Sequence, residues 1–256
     1  MIEGALHAGL GWAGLNMGVA GTLVAASFGT SFITAAFGIG GGGVLLAILA
    51  SLVPPAALIP VHGLVQLGSN AGRAVIMFRH RDLGVLVPFA GGSLVGVALG
   101  GSVVVQLPPD ILRIGVGLFI LWSVLAAPPA FMRRSAALAG GFSSFLTMFF
   151  GGTGPFVAAY VKTMGFARMT HVATHALLMT VQHLLKTVAF GFLGFAFSLW
   201  MPLIAAMIVS GFLGTVAGRQ VLVRIDEKRF KIALNAILIV LALRLIWAGG
   251  QGVIQR

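Results

Sequence analysis

The sequence predicts an all-α, polytopic membrane protein. Of its 256 residues, 59% are hydrophobic and only 8% are charged, whereas a soluble domain is about 25% charged. Residues 83–109, 135–161 and 187–218 contain no Lys, Arg, Asp or Glu. Because about 20 apolar residues cross a bilayer as a helix, these stretches are predicted membrane spans. The composition excludes an ordinary soluble enzyme and a disordered protein.

The net charge of +11 comes from short runs of Lys and Arg between apolar segments. A nucleic-acid-binding protein needs a basic face on a folded domain, so we expect the lipid bilayer and not nucleic acid as a partner. Basic loops of this kind set the orientation of membrane helices. The chain has no cysteine, which excludes disulfides and thiolate metal sites. Nothing in the sequence indicates a cofactor.

The sequence predicts two homologous halves, residues 1–128 and 129–256, in one membrane domain. One shift of the chain on itself aligns three pairs: His62 with His175, Arg73 with Lys186, and Gly41 with Gly154. Aligned histidines and cations in otherwise uncharged stretches are stronger signs of duplication than aligned glycines in a glycine-rich chain. A slightly longer shift aligns two Gly-x-x-x-Gly segments, which begin at Gly96 and Gly214.

Each half is predicted to contain five helical segments, one of them short. The segments are residues 16–37, 43–53, 56–78, 83–105 and 110–128 in the first half, and 135–150, 155–166, 171–190, 196–218 and 230–248 in the second. Pro54-Pro55 ends the short segment of the first half. At about 1.5 Å per residue the short segments cover about half a bilayer, which is typical of half-helices or re-entrant segments.

The positions of Lys and Arg favour inverted repeats. If every segment crosses the membrane, one face collects most of the loop cations: Arg79, Arg81, Arg133, Arg134, Lys162, Arg168, Arg219, Arg224, Lys228, Arg229 and Lys231. If the short segments do not cross, the basic loops divide between the two faces, against the positive-inside rule. We therefore predict inverted halves, with both termini on the outer face of the membrane.

A glycine-rich turn precedes the short segment of each half, at Gly38–Gly43 and at Gly151–Pro155. Free backbone N–H groups at a helix start bind anions, and transporters build substrate sites from such broken helices. The residues predicted to bind substrate here are Gly40, Gly41, Gly42, Thr153 and Gly154. Close helix packing is the alternative reading of both turns.

Arg73 and Lys186 lie at equivalent places within predicted spans, with no acidic neighbour in the sequence. An ionisable residue inside a membrane is costly and marks a functional site, so we predict that the two cations neutralise a bound anion. The alternative for Arg73 is that its head group reaches the membrane surface near Arg79.

Polar side chains share one helix stripe with each cation. They are predicted to orient the substrate and comprise His62, Gln66, Asn70, His175, Gln182 and His183. Hydrogen bonding between helices is the alternative role. A metal site is not favoured, because neither a carboxylate nor a cysteine accompanies the three histidines.

The five Asp and Glu residues all lie in loops or at the ends of predicted segments, so transport of Na⁺ or a metal cation lacks its usual ligand. An intramembrane hydrolase would need an activated nucleophile beside a base, and Ser69 near His62 has no third partner. We therefore expect an anion pathway and not an enzyme. The runner-up is a membrane scaffold or assembly factor, in which the Gly-x-x-x-Gly segments serve packing alone.

The glycine turns also support a family resemblance. Gly38-Ile39-Gly40-Gly41-Gly42 after a Ser/Thr-rich helix, the following Pro54-Pro55, and the turn Gly151–Pro155 resemble the TauE/SafE sulfite exporter family. Arg79–Asp82 and Leu107–Arg113 fit the same pattern, and the resemblance covers about residues 16–248. The chain departs from the family pattern at three places: Gly152-Thr153, Pro60–Gly63 and Ala173–His175.

The resemblance implies an inner-membrane protein that moves sulfite, sulfoacetate or other sulfur-containing anions. With the charge pattern, it predicts a secondary transporter that exports small sulfur oxyanions or organosulfonates by alternating access. A transporter of another small organic or inorganic anion remains the alternative, beside the scaffold. The sequence leaves open the particular anion, the direction, the coupling ion and whether the protein is a monomer or a homodimer.

Overall fold

The computed structural model of the chain describes residues 12–38, 40–103, 108–221 and 227–254. It describes no side chain at residue 221 or at residues 227–231. Some predicted features lie outside the described residues: Ile39 of the first glycine turn, Leu107, the cations Arg224 and Arg256, and the acids Glu3 and Asp226. For description, residues up to 128 are called the first half and the remainder the second half.

The described residues form ten α-helices and no strand, which confirms the predicted all-α fold. The first half contains α1 (Met17–Phe37), α2 (Gly41–Leu52), α3 (Pro55–Ile76), α4 (Leu86–Val103) and α5 (Pro109–Leu125). The second half contains α6 (Ala136–Phe150), α7 (Gly154–Lys162), α8 (Arg168–Phe192), α9 (Met201–Val221) and α10 (Glu227–Ile254). Each predicted segment corresponds to one helix.

Four helical stretches of the described chain are long and apolar enough to cross a membrane. They are Met17–Phe37, Leu86–Val103, Phe197–Gln220 and Ile232–Ile254. By contrast, α2 and α7 have only 12 and 9 residues. At about 1.5 Å per residue neither crosses a full hydrocarbon core, as predicted for the short segments.

The first helix of each half ends at a glycine. Gly38 and Gly151 have positive φ angles of 88° and 80°, a conformation that glycine adopts without steric cost. The amide of Gly38 donates to the carbonyl of Thr34, and that of Gly151 to the carbonyl of Thr147. Each glycine thus ends its helix and turns the chain into the short helix that follows.

The fourth helix of each half packs against the first helix of the other half, α4 against α6 and α9 against α1. Small residues allow this close approach: a Cβ at Gly96 would overlap the carbonyl of Gly141, and one at Gly214 would overlap that of Phe28. Residue numbers rise in the same direction along both helices of each pair, so the pairs are parallel. The Gly-x-x-x-Gly segments therefore form two packing seams.

The third helices, α3 and α8, pack against each other, and so do α5 and α10. Helix α2 packs against α1, α3 and α10, and its Leu45, Leu46 and Leu49 are buried. Helices α2 and α7 each lead through a short connection into a third helix, α3 or α8. The polar side chains of α3 and α8 are held at this central contact.

Candidate functional site

The polar stripe residues that the sequence singles out are all buried, on the two central helices. Helix α3 carries His62, Gln66, Asn70 and Arg73, and helix α8 carries His175, Gln182, His183 and Lys186. Buried polar groups need hydrogen-bond partners, so the partners of each side chain show what holds it in place.

Arg73 is turned back along its own helix. Only 1% of its surface is exposed, and its Nη1 and Nη2 donate to Asn70 Oδ1 at 3.0 Å and to Ser69 Oγ at 3.4 Å. Asn70 in turn donates to Gln66 Oε1 at 3.2 Å. The guanidinium is therefore held inside the bundle and does not reach toward the membrane surface near Arg79.

Lys186 lies in the contact between the two halves. It is fully buried, and its Nζ donates to Thr147 Oγ1 of α6 at 3.4 Å. A Cβ at Gly63 of α3 would lie 2.6 Å from Lys186 Cε. The glycine at position 63 therefore makes the space that the lysine from the other half occupies.

Neither buried cation is paired with a carboxylate of the described chain. The one ion pair among the described residues joins Arg113 to Asp110 at 3.0 Å, at the start of α5. A buried charge without a counter-charge is strongly unfavourable. Two such charges at the contact between α3 and α8 make this region suited to a negatively charged ligand.

His62 and His175 play the same structural role in the two halves. His62 Nε2 donates to the carbonyl of Gly42 at 3.0 Å, and His175 Nε2 donates to the carbonyl of Gly154 at 3.1 Å. Each acceptor belongs to the first turn of a short helix. The histidines thus tie the third helix of each half to its glycine turn.

The two glycine turns meet beside His62. A Cβ at Gly151 would lie 3.3 Å from His62 Nδ1, and one at Gly152 would lie 3.8 Å from the Cα of Gly43. The His62 ring also meets the His183 ring edge-on, with centroids 6.0 Å apart. The first turn, the second turn and both central helices therefore converge at one place.

Gln182 joins three parts of the second half. Ser143 of α6 donates to its Oε1 at 3.0 Å, and its Nε2 donates to Thr153 Oγ1 in the glycine turn. In the first half, Ser31 of α1 and Ser69 of α3 share a hydrogen bond of 2.9 Å. Both third helices are thus joined by polar contacts to the first helix of their own half.

The predicted glycines separate into two groups. A Cβ at Gly42 would lie 2.9 Å from Gln66 Nε2, and one at Gly154 would lie 3.8 Å from His175 Nε2. At Gly40 a Cβ would instead overlap Leu234 of α10, and at Gly41 it would overlap the Thr30 carbonyl of α1. A Cβ would therefore meet neighbouring helices at Gly40 and Gly41, whereas Gly42 and Gly154 adjoin the polar side chains.

Three side chains of this network, Ser69, Thr147 and Ser143, were not among the predicted site residues. Thr147 aligns with Thr34 in the predicted duplication, which is the signal that could have indicated it. Among the described residues, no group of three or more His, Cys, Asp or Glu side chains comes together as a metal site would require. The region offers N–H donors, hydroxyl groups and fixed positive charge, which is the chemistry of anion binding.

A family comparison agrees with this geometry. Residues 23–245 match the family described as sulfite exporter TauE/SafE, which covers most of the chain. The chain belongs to the sulfite exporter TauE/SafE family. None of the curated proteins and none of the solved structures compared with it matches.

Membership in the TauE/SafE family confirms the resemblance drawn from the glycine turns. This is a transporter family and not an enzyme family, so the expectation that the chain is not an enzyme is confirmed as well. The family and the apolar helices indicate a multi-pass membrane protein that exports sulfite or a related anion.

Proposed function

We propose that this TauE/SafE protein is a secondary transporter that exports small sulfur-containing oxyanions across the inner membrane by alternating access. Sulfite, sulfoacetate and related organosulfonates are the expected substrates. The observation that carries the proposal is the burial of Arg73 and Lys186, without a described carboxylate partner, at the contact between α3 and α8. A small oxyanion supplies the missing counter-charge.

Each predicted site residue has a role in this proposal. Arg73 and Lys186 neutralise the anion, and polar side chains on the same two helices orient it: Gln66, Asn70, Gln182, His62, His175 and His183. Gly42, Thr153 and Gly154 contribute backbone or hydroxyl donors from the turns, since the first amides of a helix have no partner within it. Gly40 and Gly41 keep the first turn close to α10 and α1.

The proposal includes two inverted halves, residues 1–128 and 129–256, with both termini on the periplasmic face. The antiparallel contact of α3 with α8, in which His62 meets His183 and Arg73 lies near His175, supports it, because the third helices of two halves in the same orientation would be parallel. Two glycine turns that approach each other inside the protein support it too. Alternating access then consists of one half moving against the other around the central anion.

The topology can be tested with single cysteines, because the chain has none of its own. Ser135 precedes α6, and Ser198 lies in the turn Phe197–Trp200 before α9. Inverted halves predict that an impermeant thiol reagent labels Ser135→Cys from the cytoplasm and Ser198→Cys from outside. Labelling of both from the same side would contradict the inverted arrangement.

The decisive functional experiment is a flux screen in proteoliposomes with sulfite, sulfate, thiosulfate, alkyl sulfonates and carboxylates. We expect flux of sulfite or sulfonates that is absent from protein-free liposomes and from liposomes with the Lys186→Gln variant. Flux of carboxylates alone would favour a transporter of other anions. A folded protein that moves none of these anions would contradict the proposal and favour a scaffold.

A further inference from the structure

Hydrogen bonding fixes the tautomer of two buried histidines. The acceptors of His62 Nε2 and His175 Nε2 are the carbonyl oxygens of Gly42 and Gly154. A carbonyl oxygen only accepts hydrogen bonds, so each Nε2 carries a proton. In the neutral ring, Nδ1 therefore presents a lone pair and no N–H.

These Nδ1 atoms have no hydrogen-bond partner among the described residues, although both side chains are buried. His62 Nδ1 is directed toward the second glycine turn, where a Cβ at Gly151 would lie 3.3 Å away. A buried polar atom without a partner costs free energy. A lone pair also repels an anion, whereas a protonated Nδ1 would donate a charge-assisted hydrogen bond to it.

Each of the two histidines lies near the cation of the other half. His62 on α3 interacts electrostatically with Lys186 and His183 of α8. His175 on α8 interacts with Arg73 of α3 and with His171 of its own helix. The described contacts that α2, α7 and the glycine turns make with the two rings involve only uncharged backbone groups.

One carboxylate of the described chain lies near the start of α8. The backbone amide of Asp82 donates to Thr174 Oγ1 at 3.0 Å. The Asp82 carboxylate accepts from the amide of Gly84 at 2.8 Å and interacts with Tyr160 of α7. The groups that act on the His62 and His175 rings themselves are cations or other histidines.

We propose that His62 and His175 take up a proton when the anion binds, so that the protein carries protons together with its substrate. The inference rests on the proposed function, because it requires an anion next to Arg73 and Lys186. A bound anion offsets the positive charge beside each ring and accepts a hydrogen bond from the new Nδ1–H. Since linkage is reciprocal, protonation strengthens anion binding by the same factor as the anion strengthens proton binding.

The chemical step is a proton transfer and nothing else. Hydronium on the side where the anion enters gives its proton to Nδ1, which forms an N–H bond and leaves water. When the anion leaves on the other side, the N–H bond breaks and the proton returns to water. Each proton reduces the negative charge moved per anion by one, so flux should depend on the pH gradient. A monovalent sulfonate carried with one proton moves no net charge, so its flux should not depend on the membrane potential.

Calorimetry in buffers with different ionisation enthalpies counts the protons taken up per anion bound. The probe is an alkyl sulfonate, which stays fully ionised near neutral pH, so any proton taken up must bind to the protein; sulfite is measured beside it. We expect an uptake of about one proton per sulfonate in the wild-type protein. The His62→Gln and His175→Gln variants should each show less uptake, and the double variant close to none.

Glutamine is the matched substitution because its amide can still donate to the glycine carbonyl but does not titrate. The control is His80→Gln, since His80 is exposed in the turn Phe78–His80. Its proton uptake should equal that of the wild-type protein. Equal uptake in the wild-type protein and the double variant would overturn the inference.

The wild-type protein alone also tests the inference, should the double variant fail to fold. With one linked proton the Kd for the sulfonate should rise about tenfold per pH unit above neutrality. A Kd that does not change with pH, with no proton uptake, would overturn the inference and leave the proposed function intact. If neither sulfite nor any sulfonate bound the folded protein, the proposed function itself would fail.

Discussion

The two halves hold their buried cations in different ways within a similar arrangement of helices. Arg73 is held by Asn70 and Ser69 of its own helix, whereas Lys186 reaches from α8 to Thr147 on α6. The histidine contacts are the same, because His62 and His175 both donate to a glycine carbonyl in the first turn of a short helix. The halves thus share their helix-to-turn connection and differ in the groups that would meet the substrate.

Removing the charge of either cation tests whether both halves act on one anion. Arg73→Gln and Lys186→Gln should each weaken anion binding about 100-fold or more, because each removes one of the two positive side chains that face the bound anion. Both variants should fold, since loss of an unpaired buried charge relieves its desolvation cost. Ligand should raise the melting temperature of the wild-type protein and of neither variant.

Arg244→Gln is the control, because Arg244 also lies within a helix but is exposed. It should keep the ligand-induced rise in melting temperature. Arg73→Lys should be partly defective, since lysine replaces a planar fork by a point charge. If either Gln variant responded to ligand as the wild-type protein does, the anion would not lie between the two cations.

The aligned glycines Gly41 and Gly154 should respond differently to alanine. A Cβ at Gly41 would overlap the Thr30 carbonyl, so Gly41→Ala should destabilise the protein by about 1–3 kcal/mol. Gly154 has ordinary van der Waals space, with His175 Nε2 3.8 Å from the added Cβ, so Gly154→Ala should fold normally. Thermal unfolding in detergent measures both variants, and equal destabilisation would contradict this difference between the turns.

The packing seams, unlike the cation sites, should respond alike in both halves. Gly96→Ala and Gly214→Ala each place a Cβ into a backbone carbonyl of the neighbouring helix, and we expect each to lower stability by about 1–3 kcal/mol. Gly91, whose Cβ would meet nothing within 4 Å, supplies the control Gly91→Ala. A large difference between the two seam variants would show that the seams are not equivalent.

The hydroxyl partners of the two cations give the smallest expected effect. Thr147→Val removes the described partner of Lys186 Nζ, whereas Ser69→Ala leaves Arg73 its stronger contact with Asn70. We expect Thr147→Val to change anion affinity by about fivefold, for about 1 kcal/mol per hydrogen bond, and Ser69→Ala to change it less. The Kd for sulfite from calorimetry measures both, and the opposite order would contradict the contrast between the halves.

The fold could be predicted from the sequence to the level of single helices. Long apolar stretches without charge mark the helices, and glycines or prolines mark their ends. The start of α9 differs, because residues 197–200 form a separate 3₁₀ turn before Met201, where the sequence remains apolar throughout. Helix partners such as α4 with α6 were not predicted, because packing between membrane helices depends on detailed shape and not on hydrophobicity.

The candidate site could be predicted only as a set of residues. Helical spacing puts His62 and Arg73 on one stripe, and the duplication adds their counterparts. The contact of Lys186 with Gly63 could not be predicted, because it depends on how α8 packs on α3. The pattern of glycines also could not show that Gly41 faces α1 while Gly42 faces Gln66, since adjacent helix positions point in different directions.

The burial of Arg73 and Lys186 also affects how well the membrane holds its ion gradients. Two buried basic side chains in a low-dielectric interior oppose the entry of protons and metal cations. The substrate-free transporter would then not dissipate the proton gradient or the sodium gradient of the cell. We expect liposomes that contain the substrate-free protein to keep an imposed pH gradient as long as protein-free liposomes do.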